Sequence, residues 1–173
     1  MVKETIRRNK NVVFRGHNKV MSLNMMRAVA AIELRYEGYD KIEFDKIIEY
    51  SNYKACVHVV GEDPLGIVTA IYCINRREAL NPNRIMDVIS LIEAAMGDEC
   101  EVVLAIPLEL IDDARDIIGI TKRTFLIDRC GRVWVYSAYH GLKPGSLCLQ
   151  EEDADEEEEA LPAGSQMRPF YII

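Results

Sequence analysis

Residues 53–74, YKACVHVVGEDPLGIVTAIYCI, decide the fold. The first eight alternate and are rich in β-branched residues, which marks a strand with Cys56, His58 and Val60 on one face and Tyr53, Ala55, Val57 and Val59 on the other. GEDPLG (61–66) concentrates turn residues. IVTAIYCI (67–74) is almost continuously apolar, as expected of a strand covered on both faces. Two such runs around one short turn predict a hairpin.

Working outward, residues 17–37 place Val20, Leu23, Met26 (or Arg27), Ala30 and Leu34 at helical spacing, with Gly38 available as a left-handed cap. Residues 42–49 begin with strand-like alternation at Ile42 and Phe44. Asn81 and Pro82 suit the cap and first position of a second helix, whose apolar stripe is Ile85, Val88, Ile89, Ile92 and Met96 and which Gly97 ends. EVVLAI (101–106) predicts a strand, and Pro107 opens a third helix through about Ile118, with Leu110, Ile111, Ala114 and Ile117 inward. Runs 123–128 and 132–137 predict a last hairpin around Arg129-Cys130-Gly131, with Trp134 packed. The expected order is α-β-β-β-α-β-α-β-β, an α/β fold with a mixed β-sheet flanked by helices.

Length and charge divide the chain further. At 173 residues one domain is expected. The reading divides it into a basic N-terminal segment (1–16), an α/β domain (17–140) and a loop with an acidic, disordered tail (141–173) whose MRPFYII end is apolar enough to dock. The net charge of −7 is segregated: 151–159 holds eight acids and no base, whereas 1–28 carries seven bases against Glu4. Arg7, Arg8, Lys10, Arg15 and Lys19 are therefore the candidate nucleic-acid contacts, and the acidic tail a candidate dock for a basic protein partner. The five cysteines are scattered singly, which argues against a disulfide framework or a zinc site. No apolar run is long enough to span a bilayer and MVKETIRRNK lacks a secretory apolar stretch, so a cytoplasmic chain without membrane contact is expected. No GxGxxG, GxxxxGK[ST] or GxSxG occurs, and His17, His58 and His140 are too dispersed to nominate a metal triad.

The layout over roughly 17–137 resembles the PD-(D/E)xK nuclease superfamily, particularly the small archaeal Holliday-junction-resolvase-like and restriction-endonuclease-like proteins. The resemblance is carried by the helix closing at Tyr36-Glu37-Gly38-Tyr39, then YKACVHVVG, IVTAIYCI, CEVVLAIPLEL and RTFLIDRCGRVWVY. It implies a hairpin whose acidic residue and (D/E)xK motif hold magnesium or manganese beside a phosphodiester. Laid on this chain, those positions fall at His58, Tyr72 and Ile74, all substituted, with His58 and Tyr72 expected to fill the hollow by a mutual hydrogen bond. Glu33 and Asp45 are weak replacement acids, although Glu33 reads more simply as an exposed helix charge.

Three functions follow as expectations. The first is a non-catalytic nuclease-like domain, a pseudoenzyme serving as subunit or adaptor in nucleic-acid processing, with no cofactor. The second is a self-associating structural protein, a homodimer through a sheet edge or the MRPFYII end. The third is a nuclease with displaced ligands that uses magnesium or manganese.

Overall fold

The computed structural model describes residues 20–147. The basic segment with Arg7, Arg8, Lys10, Arg15 and Lys19, and the tail from Cys148 onward, lie outside the described residues. The elements are α1 (Leu23–Tyr36), β1 (Lys41–Tyr50), β2 (Tyr53–Glu62), β3 (Val68–Cys73), α2 (Pro82–Met96), β4 (Glu101–Pro107), β5 (Arg123–Ile127), β6 (Val133–Ser137) and β7 (Gly141–Pro144). All seven strands form one sheet in chain order. β3, β4 and β5 run parallel, and every other neighbouring pair is antiparallel. The α/β class, the mixed sheet and the flanking helices are those expected from the sequence.

Local chemistry explains most of the boundaries. α1 starts where the Ser22 side chain accepts the Met25 N–H, and Gly38 follows its end at φ +103°. The helix thus begins later than the sequence pattern suggested, and Val20 is exposed. Asn81 caps α2 by accepting the N–H groups of Asn83 and Arg84, and Pro82 occupies its first position. Two turns use one device: Asp63 Oδ1 accepts from Leu65 and Ile67, and Asp128 Oδ1 accepts from Cys130 and Arg132.

Each sheet face has its own core. Met26, Ala30 and Leu34 of α1, all 0% exposed, pack on Val59, Ile71, Val103 and Phe125. Burial of each large side chain among these contributes about 1.5–3 kcal/mol. Ile85, Ile89 and Ile92 of α2 cover the other face against Val57, Val60, Ala70 and Leu104. Trp134 packs at the edge of this second core, as expected.

The sheet changes sides within one hairpin. Val57 belongs to the α2-side core, yet Val59, two residues on, belongs to the α1-side core. The partner strand switches in step, with Ile48 on the α2 side and Ile42 on the α1 side. The switch falls where the ladder is unbridged: Phe44 pairs Val59 and Lys46 pairs Val57, but Asp45 and His58 between them do not pair. Asp45 has φ +52°, a left-handed conformation that breaks the alternation. The expectation of one uniform face from Tyr53 to Val59 is therefore corrected.

Two further expectations are corrected. The stretch after Pro107 is a succession of tight turns and not a third α-helix. A 3-10 turn spans Leu108–Leu110, and the N–H groups of Ile111, Asp113, Ile117 and Ile120 reach carbonyls three residues back. Asp112, Asp113 and Asp116 with β-branched Ile111, Ile117 and Ile118 are weak helix formers. Turns suffice to bury Leu110, Ala114 and Ile117. The segment from Gly141, read as a loop, instead supplies edge strand β7, so the sheet continues past residue 140.

Candidate functional site

The hairpin places His58 where β2 and β3 part. Their ladder ends at Val59 opposite Ile71, which leaves the β2-facing N–H of Cys73 without a backbone acceptor. His58 Nδ1 takes it at 2.9 Å. The imidazole therefore stands in for a main-chain carbonyl, Nδ1 carries no proton, and Nε2–H is the donor left to the ring. Burial lowers the His58 pKa; Asp45 opposes this and Arg27 reinforces it.

Tyr72 meets His58 ring to ring, with centroids 5.0 Å apart and planes inclined at 47°. The expected hydrogen bond between them is thus replaced by a ring contact and the bond to Cys73. Burial raises the Tyr72 phenol, and nearby Arg84 acts in the opposite direction. Ile74 is 3% exposed and belongs to the α2-side core. A magnesium or manganese ion needs hard oxygen ligands. An engaged imidazole, a phenol and a buried isoleucine do not fit one, and among the described residues no group of three His, Cys, Asp or Glu side chains gathers to hold a metal.

The two replacement acids sit in separate clusters. Asp45 is ion-paired with Arg27 of α1, which also bonds Asn24, and Cys56 Sγ approaches Asp45 at 3.9 Å. Glu33 is 0% exposed, which overturns the expectation of a surface helix charge. Its carboxylate accepts the N–H of Ser146 and, at 3.1 Å, that of Leu147. Burial raises its pKa, and the two backbone donors pull the other way. Gly145 makes this approach possible: a Cβ there would lie 2.5 Å from Glu33 Oε1 and 2.9 Å from the Val133 carbonyl.

Glu33 borders a cleft of about 250 Å³ with Glu37, Arg123 and His140. Arg123 binds Glu101 at 2.7 Å and Glu37 at 2.8 Å, and its guanidinium lies over Phe125, 5.4 Å from the ring centre. Burial alone would lower the Arg123 pKa, but its bonds to Glu37 and Glu101 outweigh that and raise it. With its cation saturated by two carboxylates, this cluster is a structural clasp between α1, β4 and β5.

A different cleft, of about 160 Å³, opens beside His58 and Tyr72 and is completed by Asn75, Arg76, Arg84 and Val88. Neither arginine stands out in the sequence. Their only advance signals are the Arg76-Arg77 doublet and the position of Arg84 just after the α2 cap.

No protein-family model matches the chain, and no curated protein does. Among solved structures, an XisH family protein from Nostoc punctiforme is similar at 17% identity and a TM-score of 0.46. The match covers 60% of this chain and 91% of that one. Among the described residues, no helix is long and apolar enough to cross a membrane.

Proposed function

We propose that the chain is a nuclease-like domain that binds nucleic acid, or an assembly acting on it, without cutting. One observation carries the reading. At the positions where the resembled family keeps its metal ligands and lysine stand His58, occupied by Cys73 N–H, Tyr72, packed on His58, and Ile74, sealed in the core. The helix, three-strand antiparallel meander, helix and parallel strand supply the matching layout. Arg7, Arg8, Lys10, Arg15 and Lys19 supply the basic segment. Glu33 and Asp45 as replacement ligands are disfavoured by their engagements with the Ser146–Leu147 backbone and with Arg27.

The test is cleavage of labelled single-stranded, duplex and branched DNA with magnesium and with manganese, beside Glu33→Ala and Asp45→Ala, with metal-free gel-shift lanes. Binding without cleavage is the expected outcome. Cleavage lost in either variant would sink the reading and restore the displaced-ligand nuclease.

A specific observation also favours self-association. Among the described residues β1 is a ten-residue edge strand that exposes Phe44, Ile47 and Tyr50, and an edge of this kind invites another strand. Light scattering across a concentration series decides it. A dimer weakened by Ile47→Lys supports this second role, and a monomer throughout removes it.

A further inference from the structure

We infer that the cleft between β2, β3 and the start of α2 is a metal-independent binding site for a phosphate group, held by Arg76, Arg84, His58 and Tyr72. Four observations converge on it.

The first is charge. Arg76 and Arg84 both line the cleft, and no carboxylate lines it. Neither guanidinium has an ion pair or hydrogen bond among the described residues. The neighbouring arginine differs: Arg77 is bonded to Asp113 at 3.0 Å and so contributes little. The nearby acid Asp45 is likewise held by Arg27. Two uncommitted guanidiniums at one small cleft leave a positive charge that an anion can neutralise, and their planar forks suit a tetrahedral oxyanion.

The second is the donor character of the neutral groups. With Nδ1 committed to Cys73 N–H, His58 retains Nε2–H as a donor and has no acceptor to offer. Tyr72, which also lines the cleft with its ring packed against His58, carries a phenol O–H and so a further donor. The charge does not come from the helix terminus, because the Asn81 side chain already accepts the N–H groups of Asn83 and Arg84. The site is therefore built from side chains.

The third is size. At about 160 Å³ the cleft is well below the roughly 300–1,000 Å³ of pockets that enclose a drug-sized ligand. It suits one phosphate group, with the remainder of any larger molecule outside. The fourth is rigidity. Tyr72 and Cys73 of β3 pair with Leu104 and Ala105 of β4, Cys73 N–H is held by His58, and Asn75 is tied to the Met21 carbonyl at 3.2 Å. This floor is ordered before any ligand arrives, which lowers the cost of binding.

The same chemistry admits free phosphate or a nucleic-acid phosphodiester; only the latter source rests on the function proposed above.

Two titrations of the full chain test this. Inorganic phosphate is followed through the His58 imidazole resonances by NMR, and a fluorescein-labelled single-stranded oligonucleotide by anisotropy at several salt concentrations. Arg76→Ala, Arg84→Ala, the double variant and an exposed control, Arg115→Ala, are compared with the parent chain. Phosphate is expected to move the His58 signals in the parent and the control, with at least tenfold weaker binding in the double variant. The phosphodiester source predicts at least fivefold weaker oligonucleotide binding in the double variant and a salt slope lower by about 1. Phosphate that leaves His58 unmoved, or that binds the double variant as it binds the parent, overturns the site. Oligonucleotide binding that ignores the double variant but is lost when Arg7, Arg8 and Lys10 become alanine upholds the proposed function and removes the phosphodiester as ligand. Phosphate binding without oligonucleotide binding upholds the site and overturns direct nucleic-acid binding, leaving a protein assembly as the partner.

Discussion

The Glu33 carboxylate on α1 accepts the Leu147 backbone N–H at 3.1 Å, across 114 residues of chain. With Ser146 N–H on its other oxygen, it ties the segment after β7 to the first helix.

Glu33→Ala leaves two backbone donors without an acceptor and is expected to cost about 2–4 kcal/mol; Glu33→Gln, which keeps one acceptor, costs less. The pH dependence has a definite sign. Burial raises the folded-state pKa above the ordinary carboxylate value, so the folded chain keeps a proton that the unfolded chain releases. The parent should lose stability relative to Glu33→Gln as pH rises from the ordinary value through the raised one. Urea midpoints for both chains across this range read the trend, and a gap that moves the other way refutes it.

His58 has the opposite linkage. Its folded pKa lies below the ordinary 6.5, because burial disfavours the cation. Protonation would also set an Nδ1–H against Cys73 N–H. Stability is therefore full above 6.5 and falls as pH drops from there toward the folded-state value. NMR titration, with His58→Gln to assign the signals, should give a midpoint below 6.5; a higher one contradicts the hydrogen-bond assignment.

Asp45 combines a left-handed backbone with the ion pair to Arg27. Asp45→Gly loses the pair but relieves the backbone, whereas Asp45→Ala loses the pair and keeps the strain. The alanine variant should be less stable than the glycine variant by about 1 kcal/mol. Equal urea midpoints would mean that the kink is held elsewhere.

Arg123 is shared by Glu37 and Glu101 in a half-buried setting. Arg123→Met abandons two carboxylates near each other and is expected to cost about 2–3 kcal/mol. Adding Glu101→Gln should recover part of the loss, because one unpaired charge goes with it. A double variant no more stable than Arg123→Met would show that packing on Phe125, and not charge, is what the arginine provides.

The legible parts of this fold are those set by short-range chemistry. Asn81-Pro82 and Gly97 bracket α2 through capping. The breaker residues around Asp63 and Asp128 turn the chain in four or five residues. The parallel pairing of β3 with β4 follows from an intervening helix. The candidate site was legible only as a set of substituted positions. His58 and Tyr72 do meet, but the acceptor role of His58 depends on where the β2–β3 ladder stops. Arg76 and Arg84 gather only once the turn after β3 folds against the first turn of α2.

The sequence by itself determined the α/β class, the succession of strands along the chain up to β6 and the caps, because these depend on propensities acting over a few neighbours. Tertiary structure alone decided the change of face at Asp45 and His58, the turns in place of a third helix, the strand at Gly141–Pro144 and the burial of Glu33. Each depends on partners distant in sequence. A carboxylate looks exposed in any helical pattern until a segment more than a hundred residues away closes over it and supplies the N–H groups that make its burial tolerable.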